Sequence, residues 1–259
     1  LAELALPCSE FSDADLRQRH VYVEASRGCP FRCEFCLSAL DRTAWPFPLD
    51  AVLRHLSGLY QRGARDFRFV DRTFNLKTEA SLAILRFFLD RVEVDPAHPP
   101  FAHFELIPDR LPDTLKEAIA RFPPGTLQLE IGIQTFNEEV QRHISRRQDN
   151  AAAEANLRWL RERTNAHLHV DLIAGLPGET DEAFGELMGF VEQARFDRLG
   201  VFEFSPEPGT DAAEMPDIDP GEIAPSRAAG GRCLTPGEEE PKAVSAQRSA
   251  GAGPEKLRT

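Results

Sequence analysis

From residue 20 to about residue 215 the chain alternates, six times over, between short β-prone runs and longer amphipathic stretches. The strand candidates are residues 21–25, 67–70, 102–107, 127–133, 168–173 and 199–204. Between them, residues 49–61, 77–92, 112–121, 150–162 and 181–194 set apolar side chains three and four positions apart, the spacing of a helix with one buried face. Helix-start chemistry agrees: Thr78 and Asp113 stand in or beside a first turn, Pro112 suits the first helical position, and Thr180-Asp181-Glu182 reads as a helix entry. Strands separated by helices return in the same direction, because the right-handed crossover packs the helix back onto one sheet. A closed eight-unit barrel takes ~250 residues, and only about 195 are available before the pattern stops. The expected fold is therefore α/β, a partial and open (β/α)6 TIM-like barrel. Function in such a barrel belongs just past the carboxyl ends of the strands.

The flanks differ from this core. Residues 1–19 read as a short N-terminal leader without a signal-peptide pattern, and residues 20–215 as the barrel. Residues 216–259 contain recurrent Pro and Gly, no aromatic residue, and too few apolar residues to bury a face, so a disordered C-terminal tail is expected there. A membrane span is not expected, since the longest stretch free of Asp, Glu, Lys and Arg is residues 96–104, nine residues with two His among them. The net charge of −12, from 30 Lys plus Arg against 42 Asp plus Glu, is the wrong sign for general attraction to nucleic acid or anionic lipid.

Directly after the first strand comes Ser26-Arg27-Gly28-Cys29-Pro30-Phe31-Arg32-Cys33-Glu34-Phe35-Cys36, a C-x3-C-x2-C run. Three of the five Cys lie within eight residues, a pattern that suits thiolate ligation better than a disulfide framework and implies a reducing, cytoplasmic setting. Structural zinc usually takes four closed ligands in two pairs, and Cys8 and Cys233 stand alone. Three thiolates can instead hold one corner of a [4Fe-4S] cluster, leaving the fourth iron open to a small ligand.

With Phe35 before its third Cys, this loop resembles the signature of the radical S-adenosylmethionine (SAM) superfamily, and the matching pattern covers about residues 20 to 210. The resemblance implies a [4Fe-4S] cluster on Cys29, Cys33 and Cys36. It also implies SAM chelated to the open iron, reductive cleavage to a 5′-deoxyadenosyl radical, and an electron donor such as a flavodoxin or ferredoxin. Strand two ends in Val70-Asp71-Arg72-Thr73-Phe74-Asn75, where the superfamily often places Gly-Gly-Glu for the SAM amine, so Asp71 is the nearest carboxylate for that contact. Glu105, Gln134, Arg146 and Asp171 are similar to the SAM contacts of the oxygen-independent coproporphyrinogen oxidase branch. By that likeness Arg146 pairs with the SAM carboxylate, Gln134 and Asp171 take the ribose hydroxyls, and the turn from Ile173 through Gly175 to Gly178 lies beside adenine. His103 and His169 read instead as hydrogen-bonded core imidazoles on strands.

Residues 20–180 further resemble radical SAM proteins that carry a cobalamin-binding domain. No Asp-x-His-x-x-Gly motif occurs in the chain, so cobalamin would enter only through a domain that these residues do not include. Residues 195–210 look like the methylthiotransferases that modify tRNA or a ribosomal protein, enzymes with three further Cys for a second cluster. Only Cys8 precedes the loop here, which disfavours sulfur insertion by this chain alone. A non-catalytic iron-sulfur electron carrier or SAM sensor is the remaining alternative. The substrate is not legible in the residues.

Overall fold

A computed structural model describes residues 10–40 and 43–215 of the chain, so the expected tail at 216–259 and residues 1–9 of the leader lie outside the described residues. Six parallel strands form one sheet in sequential order: β1 (Val21–Val23), β2 (Asp66–Phe69), β3 (Phe101–Leu106), β4 (Leu127–Gln134), β5 (His167–Ala174) and β6 (Arg198–Glu203). The first and last strands do not pair with one another, so the barrel is open. Helices α2 (Leu49–Gln61), α3 (Thr78–Val94), α4 (Asp113–Ala120), α6 (Asn150–Arg163) and α7 (Asp181–Ala194) fill the crossovers.

Period-two alternation explains how the sheet acquires two different faces. Along β4, Leu127, Leu129, Ile131 and Ile133 are buried, while Gln128, Glu130, Gly132 and Gln134 point to the opposite side. β5 repeats the pattern, with Leu168, Val170, Leu172 and Ala174 buried and His167, His169, Asp171 and Ile173 opposite. The apolar side meets the helices. Val52, Leu56 and Leu59 of α2 and Ile84, Leu85, Phe88 and Leu89 of α3 present their buried stripes to it. Phe69, Phe74, Phe88 and Phe104 lock β2, β3 and α3 together, the Phe74 and Phe104 rings stacking at 3.9 Å between centroids. With the helices holding the apolar face, the polar face is left to line the inside of the half-barrel.

Two helices add to the expected set. α1 (Asp13–Gln18) lies within the segment read as a leader; a capping box between Ser12 and Asp15 starts it, and Leu16 is buried in the main core. α5 (Glu138–His143) is capped by Asn137, whose side chain accepts from the backbone of Glu139 and Val140. Both have six residues, too few to show a helical period. The sixth strand is followed, among the described residues, by a 3-10 turn at Asp211–Glu214. No helix among the described residues is long and apolar enough to cross a membrane.

Candidate active site

The cysteine loop leaves β1 under tight control. Ala25 accepts a hydrogen bond from the backbone of Phe47, and Ser26–Arg27 pairs antiparallel with Trp45–Pro46. Gly28 then turns the chain with φ 91°, a left-handed conformation that a side chain would strain. Asp71 braces this entry from β2: its carboxylate accepts from the backbone of Ala25 at 2.9 Å and from Ser26 Oγ at 2.6 Å. Asp71 is thus engaged behind the loop and does not line the main cavity, where the family resemblance implies a carboxylate for the SAM amine. Burial is the main force raising its pKa to about 6, with Glu24 adding to the rise and the bonds from Ala25 and Ser26 opposing it.

Beyond Gly28 the loop is tied at Glu34, between Cys33 and Cys36. Its amide donates to Ile144 O at 3.0 Å, its side chain accepts from Ser145 Oγ, and its carbonyl accepts from Ala212 at 3.2 Å. The three thiols are free and half-buried, and all three line one cavity of 510 Å³. Burial raises the pKa of Cys29 and Cys33; for Cys33 the guanidinium of Arg146, with Nη1 3.8 Å from Sγ, pulls the other way. A thiol held protonated by burial becomes a thiolate when a metal displaces its proton.

The opposite wall of the cavity comes from the carboxyl ends of β3, β4 and β5. Parallel pairing aligns Glu105, Glu130, His169 and Arg198 in one row across four strands, and Gly132, Asp171 and Gly200 in the row above. His103 Nε2 lies 3.0 Å from Glu130 Oε2, His169 Nδ1 3.6 Å from the same oxygen, and His169 Nε2 3.3 Å from Asp171 Oδ1. Arg72 Nη1 reaches Glu105 Oε1 at 3.2 Å. These contacts separate three carboxyl groups. The hydrogen bond with His103, with the His169 imidazole close by, holds Glu130 far below the usual carboxylate range, burial raises Glu105, and burial with Glu130 and Glu105 nearby pushes Asp171 up to about 7 against the pull of His169.

Gln134 and Arg146 complete the set. The β4 register shifts between Gly132 and Gln134, and Gln134 adopts φ 66°, with Oε1 buried and without a protein partner. Arg146 is fixed by Nη2 donating to Gly132 O at 2.6 Å and to Gln148 Oε1 at 2.8 Å, so Nη1 is the end directed at Cys33. α5 makes this possible: Ser145 follows it in a left-handed conformation, and the Arg146 amide bonds back to Gln141 O.

Of the residues singled out in the sequence, Cys29, Cys33, Phe35, Cys36, Glu105, Gln134, Arg146 and Asp171 line the cavity together. Ile173 and Gly175 do not. Ile173 packs with Phe35 and Phe204 on a small apolar cluster of Val140, Ile144 and Leu176, and the Gly175 amide donates to Glu179 Oε2 at 2.7 Å. The sequence reading missed Glu130 as a site residue. Its signal was its place four residues before Gln134 on a strictly alternating strand, which puts both on one face.

Residues 23–191 match the family model described as Radical SAM superfamily. A ribosomal protein uS12 methylthiotransferase RimO from Anaeromyxobacter sp. (strain Fw109-5) is 33% identical over 211 residues, covering 80% of this chain and 45% of that protein. RimO of Geotalea uraniireducens (strain Rf4) is 34% identical over 200 residues, 76% of this chain and 45% of that one. The chain therefore spans less than half the length of these curated relatives. In fold it is similar to the radical SAM methyltransferase TsrM from Kitasatospora setae, with a TM-score of 0.61 at 20% identity over 73% of this chain and 36% of TsrM. The fold of coproporphyrinogen III oxidase HemN from Escherichia coli gives a TM-score of 0.60 at 21% identity, covering 85% of this chain and 56% of HemN.

Proposed function

Because the chain belongs to the Radical SAM superfamily, we propose that residues 20–215 form a catalytic core in which Cys29, Cys33 and Cys36 hold a [4Fe-4S] cluster and the facing wall binds SAM. The observation that carries this reading is the meeting of three free thiols and four polar side chains from later strand ends in one 510 Å³ cavity. The donor set fits the groups: three thiolates leave one iron of a cubane open, and two acceptors on the facing wall, Gln134 Oε1 and Asp171 Oδ1, are buried without a hydrogen bond from the protein. When bound, a reduced cluster of this kind supplies the electron that cleaves SAM to methionine and a 5′-deoxyadenosyl radical.

The chain's own residues have separable tasks. Glu34, tied to Ile144, Ser145 and Ala212, keeps the cysteine loop facing the cavity. Arg146 presents Nη1 beside Cys33, where a carboxylate ligand would meet a charge-assisted donor. Gln134 and Asp171 offer acceptors for hydroxyl groups, and Glu105, steadied by Arg72, offers a carboxylate for an amine. Phe35 spans the apolar cluster under β5 and the cavity, giving an aromatic surface between them. An electron donor such as a flavodoxin or ferredoxin, and the reducing cytoplasmic setting implied by the free thiols, belong to the same proposal.

The likeness to RimO supports a second reading for the substrate step, methylthiolation of a ribosomal protein. Of the five cysteines only Cys8 precedes the loop, so these 259 residues hold no second upstream triad of thiols. Incubation of the cluster-loaded chain with SAM, a reductant, sulfide and uS12 separates the two: modified uS12 supports the RimO-like reaction, and SAM cleavage without modification supports a different substrate. Cluster ligation is tested by iron analysis after anaerobic reconstitution. The chain should carry about four iron. Cys29→Ala, Cys33→Ala and Cys36→Ala should each lose the brown chromophore, whereas Cys8→Ala and Cys233→Ala keep it. Full iron in all three loop variants would refute the assignment.

A further inference from the structure

Arg146 is gripped along one edge of its guanidinium and open at the other end. Nε and Nη2 both donate to Gln148 Oε1, at 3.2 and 2.8 Å, and Nη2 also donates to Gly132 O at 2.6 Å. Of the five N–H groups a guanidinium carries, only the two on Nη1 remain, and their contact is the long one to Cys33 Sγ at 3.8 Å. Gln148, which lines the cavity beside Arg146, is itself anchored. Its Nε2 donates at 3.1 Å to Oδ1 of Asn150, the first residue of α6, and Gln141 Nε2 of α5 donates to the same oxygen at 2.7 Å. The chain of amides ends on backbone carbonyls just past β4, with Asn150 Nδ2 on Phe136 O at 2.7 Å and Gln141 Nε2 on Thr135 O at 2.9 Å. A guanidinium can only donate and a carbonyl can only accept, so Gln148 must turn its oxygen to Arg146 and its nitrogen to Asn150. The backbone is tied on both sides as well, by Arg146 N on Gln141 O at 2.8 Å and Asp149 N on Asp109 Oδ2 at 3.1 Å.

We propose that Gln148 is a positioning residue for recognition of a ligand carboxylate: by occupying the Nε–Nη2 edge of Arg146 it turns Nη1 toward the cavity beside the cysteine loop. The inference rests on the reading of Arg146 as the partner of the SAM carboxylate. The Nε–Nη2 edge is one that a carboxylate can grip with two parallel bonds, so leaving it open would offer the ligand a second seat away from the loop. An amide oxygen fills that edge without cancelling the positive charge, which a carboxylate at position 148 would do. The orientation is set before the ligand arrives, because Asn150 and Gln141 hold the Gln148 amide and the end of β4 holds them.

The test is calorimetric binding of two ligands, SAM and decarboxylated SAM, which keeps the nucleoside and the amine, to the oxidised, cluster-loaded chain, a state in which SAM is not cleaved. Gln148→Met, close to glutamine in size and without an amide, should still load about four iron. It should weaken SAM by about fivefold, less than Arg146→Ala does because Gly132 O still holds Nη2, and leave the affinity for decarboxylated SAM unchanged. Added to Arg146→Ala it should change little, since both act through one contact. Gln148→Ala should show the same split between the two ligands. If Arg146→Ala binds SAM like the wild type, the reading of Arg146 as the carboxylate contact fails. If Arg146→Ala weakens SAM while Gln148→Met leaves it unchanged, or if Gln148→Met weakens both ligands equally, the role of Gln148 alone is overturned. Should neither Gln148 variant load iron, the residue serves the fold rather than the guanidinium, and the proposal falls as well.

Discussion

Asp71 offers the sharpest link between the sequence, the packing and the cysteine loop. It is 2% exposed and binds the two donors, Ala25 N and Ser26 Oγ, at the point where β1 becomes the loop. Asp71→Ala leaves both part-buried donors without their acceptor, at about 1–3 kcal/mol each, so the variant should lose about 2–6 kcal/mol of stability. Asp71→Asn keeps one acceptor and removes a titration. The folded pKa of about 6 lies above the ordinary aspartate value of 3.8, so the stability carried by the protonated form is full below about pH 4 and is lost as pH rises through 6. Two units at 1.36 kcal/mol each give ~3 kcal/mol. Between about pH 4.5 and 7.5 the stability of Asp71→Asn should therefore improve relative to wild type by up to that amount. Urea unfolding of the iron-free protein, followed by circular dichroism at both pH values, measures the difference, and iron analysis after reconstitution reports whether the loop still loads. An Asp71→Ala variant that unfolds at the wild-type urea concentration and takes up full iron would refute the bracing role. A flat difference between Asp71→Asn and wild type across pH would refute the cost of its buried charge.

Three further outcomes follow from the same contacts. Arg146→Ala should weaken SAM binding about 10- to 100-fold by removing a charge-assisted donor, read by calorimetry on the oxidised chain; unchanged affinity would remove Arg146 from the site. Glu179, which closes the turn by accepting from Gly175, is raised mainly by burial to about 7, so its protonated form stabilises the fold at low pH and that stability fades as pH rises through 7. Glu179→Gln should accordingly gain on wild type in urea unfolding between about pH 5 and 8, and a gap that shrinks over that range would contradict the sign. Phe104→Ala, which opens the aromatic stack between β3 and α3, should cost about 3–5 kcal/mol in the same assay, and a loss under about 1 kcal/mol would show that the stack is not part of the stable core.

Much of this was legible residue by residue. β4 and β5 alternate so regularly that their two faces are written in the sequence, and α2 and α7 begin and end where the apolar spacing does. The cysteine loop and the later polar strand ends also announce themselves by type and position. What was not legible depends on distance along the chain. Asp71 sits where a SAM-binding carboxylate is expected, but its direction is decided by Ala25 and Ser26, more than forty residues earlier. The row of Glu105, Glu130 and His169 exists only once three strands settle into register, and no local pattern specifies that register. α1 and α5 are short enough that their single caps, Ser12 and Asn137, outweigh any periodicity.

The most direct test is electron paramagnetic resonance of the reduced, fully loaded chain with and without SAM. If Cys29, Cys33 and Cys36 hold three irons and the facing wall delivers SAM to the fourth, adding SAM will change the spectrum, and 5′-deoxyadenosine with methionine will appear slowly even without a substrate. Identical spectra at about four iron per chain and saturating SAM, with no 5′-deoxyadenosine at any reducing potential, would contradict the enzyme assignment and leave an iron-sulfur electron carrier in its place.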